Sequence, residues 1–178
     1  MEHSFYRTEA EWTQWVERLK LMPCPHCQVA GTLNRHGILM GYDESQRQVL
    51  RARRVYCSNR HSQRGCGRTF SVWLADKIRR LSLSTHVVWR FVREVIAGSL
   101  AAATRAMAYE RSDRTWQRLW KRFQRAQSTL RSALIKRCPS PTLSANRPEA
   151  QVIAHLQATF PVDCPLAAFQ HTIHLFCL

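Results

Sequence analysis

Cys24-Pro25-His26-Cys27 is the stretch on which the reading of this 178-residue chain turns. Two cysteines with two residues between them can grip one tetrahedral ion from a tight turn, and an ion can hold a small domain that buries little apolar surface. The rest of the ligand set must come from further along the chain. Cys57 and Cys66 are the near candidates, with eight residues between them, wider than the usual spacing of about two to four. Gly65 and Gly67 flank Cys66, as suits a backbone that bends close to a metal. His61 lies between the pair and is an alternative fourth ligand, which would make the set Cys₃His. The expectation is one structural Zn²⁺ per chain on Cys24, Cys27, Cys57 and Cys66, with His26 turned outward. A redox dithiol at Cys24 and Cys27 would need a βαβ setting, and the flanking residues predict hairpins instead. A catalytic zinc would keep an open position and a nearby carboxylate, but this region offers only Asp43 and Glu44, in a polar turn. Cys138, Cys164 and Cys177 have no ligand-like spacing and are expected as buried or free thiols.

Short strands surround the knuckle. Residues 31–42 read as extended, Asp43-Glu44-Ser45-Gln46 as a turn, and residues 48–56 as a second strand. Residues 68–75 give a third, with Phe70, Val72 and Leu74 on one face. Upstream, Thr8-Glu9-Ala10-Glu11 carries a capping-box signature. Trp12, Trp15, Val16 and Leu19 follow at helical spacing, and Pro23 and Pro25 are expected to stop that helix. The Trp stripe is expected to dock, on the chain itself or on a partner.

Downstream the period changes to that of helices. From Leu81 onward, Val87, Val88, Phe91, Val92, Val95 and Ile96 form a wide apolar face, with Gly98 expected at the left-handed C′ position. Ser99 is expected to cap a second helix from Leu100 to about residue 109, and Ser112 a third from Asp113 to about residue 136. In the third, Trp116, Leu119, Trp120 and Phe123 face the core. Arg114, Arg118, Lys121 and Arg125 lie opposite them, with Gln117 and Arg122 beside. Cations stacked along one helix face repel unless an anion neutralises them. A recognition helix puts its first turns into the major groove, where Arg reads guanine and Gln reads adenine. Arg114, Gln117 and Arg118 are placed for bases, and Lys121, Arg122 and Arg125 for phosphate. Arg51, Arg53 and Arg54 in the second strand are expected to clamp neighbouring phosphates.

Charge agrees with this placement. The formal net charge is +15, and residues 43–137 hold 22 basic against six acidic side chains, or 22 − 6 = +16. An excess of that size points to a polyanionic partner. No run is long and apolar enough for a membrane helix, and the N-terminus lacks a signal-peptide pattern. Past Arg137 come a Pro/Ser-rich linker, a short helix over residues 149–158 and an apolar tail.

The Cys-Pro-x-Cys knuckle, then Gly65-Cys66-Gly67-Arg68-Thr69-Phe70-Ser71, then a helix, Gly98-Ser99 and a helix-turn-helix pattern resemble the N-terminal module of zinc-ribbon insertion-sequence transposases. The resemblance covers about residues 22–125. It implies recognition of element ends, with cutting and joining left to a separate acidic catalytic domain. Beyond residue 137 the sequence offers only Glu149 and Asp163 as carboxylates, too few for a two-metal nuclease.

The expected fold is therefore α+β: a small β zinc ribbon followed by an all-α helix-turn-helix domain. Its segments are 1–22 (amphipathic helix), 23–76 (ribbon), 77–137 (helix-turn-helix) and 138–178 (linker and helical tail). The expected function is non-enzymatic, sequence-preferring binding of double-stranded DNA in the cytoplasm at the nucleoid. The setting would be a mobile element, acting with a recombinase or transposase, and a homodimer is allowed. The alternatives are a transcription regulator of the same architecture, or an RNA-binding subunit that stacks bases on Tyr42, Tyr56 or Trp73. A nuclease would have to gather Asp76, Glu94 and Asp113.

Overall fold

The computed structural model describes residues 5–60, 62–107, 111–141 and 147–177. Among these the chain is α+β, with a four-stranded sheet and six helices. It divides into two compact units, Met1–Ala75 and Asp76–Leu178.

In the first unit the strands are β1 (Phe5–Tyr6), β2 (Leu33–Tyr42), β3 (Gln48–Cys57) and β4 (Thr69–Leu74), in sheet order β1-β4-β3-β2. The turn between β2 and β3 is built by Asp43, whose Oδ1 accepts the backbone N–H groups of Ser45 and Arg47, each at 2.8 Å. Leu39 pairs with Ala52 but Met40 pairs with Leu50, so Arg51 is the extra residue of a bulge. β4 runs antiparallel to β3 and parallel to β1. Two residues are too few to show alternation, and β1 is not legible in the sequence.

Helix α1 (Glu9–Glu17) opens as the capping-box signature suggests. The Thr8 hydroxyl accepts the Glu11 N–H at 3.1 Å, and the Glu11 carboxylate accepts the Arg7 N–H at 2.6 Å. The helix ends at Glu17, ahead of Pro23, so the prolines do not stop it. Trp12 and Leu19 are buried with Tyr6, Leu33, Val55 and Val72, while Trp15 and Val16 pack against that cluster. The tryptophan stripe is spent inside its own unit. The sheet face carrying Val55 and Val72 gains a cover from it. Phe70 and Leu74 pack against the same cluster.

The second unit is all helical: α2 (Thr85–Ala97), α3 (Leu100–Ala106), α4 (Asp113–Ile135), α5 (Pro148–Thr159) and α6 (Pro165–Ile173). Ser84 and Ser99 cap α2 and α3 through side-chain bonds to the N–H groups of Val87 and Ala102. Gly98 does follow α2, but with φ −138° it is not the left-handed residue expected. Ser112 stands at the N-cap of α4, yet its hydroxyl is bonded to that of Thr115 at 3.1 Å and makes no cap hydrogen bond. Trp116 is buried, stacks on Phe91 with centroids 4.6 Å apart, and donates its indole N–H to the Met107 carbonyl at 3.1 Å.

The apolar tail differs most from expectation. It is a helix started by Pro165 at its first turn, and its Leu166 and Phe169 are fully buried in the same core as Phe91, Phe123 and Leu134. Gln170, which interrupts the apolar run in the sequence, is buried with both ends of its amide used. Its NH₂ donates to the Lys77 carbonyl at 3.1 Å and its oxygen accepts the Cys177 N–H at 3.2 Å. The tail is part of the core. No helix among the described residues is long and apolar enough to cross a membrane.

Candidate metal centre and basic helix face

At one end of the sheet four cysteines converge. Cys24 and Cys27 sit in a tight turn in which the Gln28 N–H donates to the Cys24 carbonyl at 2.8 Å and the His26 N–H reaches the Cys24 Sγ at 3.4 Å. Gln28 there takes a positive φ of 61°. Cys57 is the last residue of β3, and its N–H donates to the Arg68 carbonyl at 2.9 Å. The segment between Cys57 and Cys66 is closed at its neck. Gly65 N–H donates to the Ser58 carbonyl and Gly67 N–H to the Cys57 carbonyl, each at 3.0 Å, and the Cys66 N–H points at the Cys57 Sγ at 3.3 Å. The wide spacing therefore still presents both sulfurs together.

The Cys24 and Cys66 sulfurs are 3.8 Å apart and those of Cys27 and Cys57 3.7 Å apart; all four lie within 4.8 Å of one another. A tetrahedral ion with bonds of about 2.3 Å to sulfur needs sulfur–sulfur edges of about 3.8 Å. The cluster can hold a metal ion and is compatible with zinc. Burial pushes the Cys24 thiol up to about 11. Burial acts upward on Cys57 as well, but hydrogen bonds from the Thr32 hydroxyl and the Cys66 N–H outweigh it and bring that thiol down to about 7. A cation drawn in would complete the deprotonation of the rest. His26 is exposed, its ring edge-on to Phe70. His61, the alternative ligand, lies outside the described residues. Asp43 and Glu44 stand at the opposite end of the β2–β3 hairpin.

The other expected site residues separate into two kinds. On α4, Arg114, Gln117, Arg118, Lys121 and Arg125 are exposed, with Trp116, Leu119, Trp120 and Phe123 buried on the other side. Arg122 is half-buried on the flank. Near the C-terminal end of the helix two cations are engaged: Arg131 donates to the Pro148 carbonyl and Arg137 to the Thr172 carbonyl.

In β3 the expected trio breaks up. Arg54 is exposed. Arg51 is buried, its stem lying over Gly41 and its guanidinium donating to the Tyr42 carbonyl at 3.1 Å. Arg53 pairs with Glu9 and lies over the Trp12 ring at 5.2 Å. The bulge turns Arg51 out of strict alternation, and a strand pattern alone could not show that. Comparison with protein families, with curated proteins and with solved structures finds no match to this chain.

Proposed function

We propose that this protein is a non-enzymatic, sequence-preferring binder of double-stranded DNA. In this reading the first unit is a zinc ribbon, and α3 and α4 act as a helix-turn-helix with α4 as the reading helix. The observation that carries it is the exposed row Arg114, Gln117, Arg118, Lys121 and Arg125, set on a helix whose opposite side is locked into a core. A rigid amphipathic helix whose exposed cations have no ion pair among the described residues is suited to the major groove, where Arg and Gln read base edges. The net charge of +15 supplies long-range attraction to phosphate.

Among the described residues, the four cysteines are the one group of three or more ligand-type side chains close enough to share an ion. Among the described residues Asp76, Glu94 and Asp113 form no such group. The setting we infer is a mobile element, with this protein marking a site for a recombinase or transposase.

Selection of duplexes from a random pool with the zinc-loaded protein tests the reading. A recovered consensus, bound more tightly than random duplex, single strand or RNA and left uncut in Mg²⁺ or Mn²⁺, is the expected result. RNA bound as tightly as the best duplex overturns it.

A further inference from the structure

Metal geometry asks for less chain between Cys57 and Cys66 than the sequence supplies. Ligands of one knuckle are usually separated by about two to four residues, and here there are eight. The N–H groups of Gly65 and Gly67 already close the neck on the carbonyls of Ser58 and Cys57, so the chain from 59 to 64 is more than the cluster needs. It holds no apolar side chain and adds nothing to the core of the unit. Asn59, Arg60, Ser62 and Arg64 are exposed.

Charge gives this surplus segment a partner. Residues 45–75 hold seven arginines and no Asp or Glu. Arg60, Arg64 and Arg68, all exposed, take part in none of the ion pairs among the described residues. Balancing a zinc–thiolate cluster would be an internal use for such cations. The sulfurs, however, are bonded by the N–H groups of His26 and Cys66 and by the Thr32 hydroxyl, with no guanidinium among these partners. The backbone that carries the cations is also held. The Ser58 hydroxyl accepts the Arg60 N–H at 3.2 Å, the Arg60 carbonyl accepts the Gln63 N–H at 3.0 Å, and the Tyr56 hydroxyl donates to Asn59 Oδ1 at 2.8 Å. A segment already held in place loses less freedom on binding.

We propose that the segment between Cys57 and Cys66, with Arg68 beside it, is a phosphate-binding element of the first unit that grips the backbone of duplex DNA in addition to α4. Guanidinium groups suit phosphate oxygens, which they engage through paired N–H donors. Backbone contacts position a protein without reading sequence, so this element adds affinity for every duplex and discrimination for none. Both ends of the segment are candidate metal ligands, so an ion in the cluster also fixes the base on which the cations stand. The inference rests on the DNA-binding reading.

Anisotropy titrations of the full, zinc-loaded chain against a mixed-sequence duplex, over a salt series, test it. Arg60→Gln and Arg64→Gln made together should lower affinity by about tenfold and the salt dependence by about two counterions, with zinc content unchanged. Arg7→Gln with Arg47→Gln removes the same charge from exposed positions elsewhere in the unit and should cost little. In the unaltered protein, arginine-selective labelling read by mass spectrometry should find Arg60 and Arg64 shielded by duplex and Arg47 still reactive. Equal losses for the two double variants would reduce the effect to net charge and overturn the proposal, as would Arg60 and Arg64 that stay reactive in the complex. A protein that binds duplex as tightly without these two arginines overturns this inference alone and leaves the reading of α4 standing. A parent protein that binds no duplex removes the DNA-binding reading and this inference with it.

Discussion

A Cβ on Gly65 would lie 2.7 Å from the Sγ of Cys57 and 2.1 Å from the carbonyl oxygen of Ser58. The carbonyl is backbone that Gly65 itself binds, so neither neighbour can yield cheaply. Gly65→Ala must therefore open the loop neck or displace a ligand sulfur. We expect zinc affinity to fall by about tenfold or more, comparable to disturbing the surroundings of other metal ligands. A chelator-competition titration measures it. Gly98→Ala, where the added carbon meets nothing nearer than 3.7 Å, should leave zinc binding unchanged. Equal affinity for Gly65→Ala and the parent protein would show that the loop tolerates a rebuilt neck.

Cys24→Ser and Cys66→Ser each remove a sulfur from a cluster whose edges fit a tetrahedral ion. Binding free energy at such sites is folding free energy. Both variants should lose zinc, and the first unit should unfold with them. The stacked Trp12–Trp15 pair, 5.1 Å between centroids, should then shift its fluorescence toward that of exposed indole. The helices of the second unit have their own core, so most of the far-ultraviolet helical signal should persist. Metal analysis that finds zinc retained in Cys66→Ser would remove Cys66 from the ligand set.

The cysteine cluster was legible because ligand chemistry leaves few alternatives: four thiols, two flanking glycines and hairpin-forming sequence around them. The core side of α4 was equally plain, since Trp116, Leu119, Trp120 and Phe123 repeat at helical spacing. What escaped was set by tertiary context. Gln170 made the last segment look like an interrupted apolar tail, yet a buried glutamine is compatible with a core once both ends of its amide are bonded. Leu166, Phe169, Gln170 and Ile173 at helical spacing after Pro165 were the available signal for α6. Arg51 and Arg53 read as free cations because neither the bulge nor the return of α1 over the sheet is written in local sequence.

If the tail is core, Phe169→Ala should act as a large-to-small core substitution. The ring is fully buried and edge-on to Phe160, 6.4 Å between centroids. A loss of about 3–5 kcal/mol is expected, read from denaturant unfolding followed by helical signal. Val162→Ala, at an exposed position two residues beyond Phe160, should cost little. A Phe169→Ala protein as stable as its parent would return the C-terminal segment to the status of an appendage.

Arg51 and Arg54 are three residues apart on β3 and should behave in opposite ways. Arg51→Ala removes a buried stem from over Gly41 and a donor from the Tyr42 carbonyl, so it should lower stability by about 1–3 kcal/mol. Its DNA affinity, measured on folded protein, should be unchanged. Arg54→Ala removes an exposed cation and should leave stability alone. In the DNA-binding reading it weakens specific and random duplex alike. Comparable losses of affinity for both variants would mean that Arg51 leaves its place over Gly41 when DNA binds.

Along α4 the exposed cations do not stand in equivalent places. Arg114 and Arg118 lie within the first two turns after Ser112, whereas Arg125 is seven residues, about two turns, past Arg118. A helix entering the major groove by its N-terminal end brings its early side chains to base edges and its later ones to the backbone. Arg118→Ala should then cost about 1–3 kcal/mol on the preferred duplex and little on random DNA, so that discrimination collapses. Arg125→Ala should weaken both duplexes by a similar factor and reduce the salt dependence by about one counterion. Arg131, already donating to the Pro148 carbonyl, should matter to neither. The decisive measurement is the affinity of each variant for both duplexes across a salt series. Sequence-blind losses of the same size for Arg118→Ala and Arg125→Ala would reduce α4 to an electrostatic face. Discrimination would then have to come from another element or be absent.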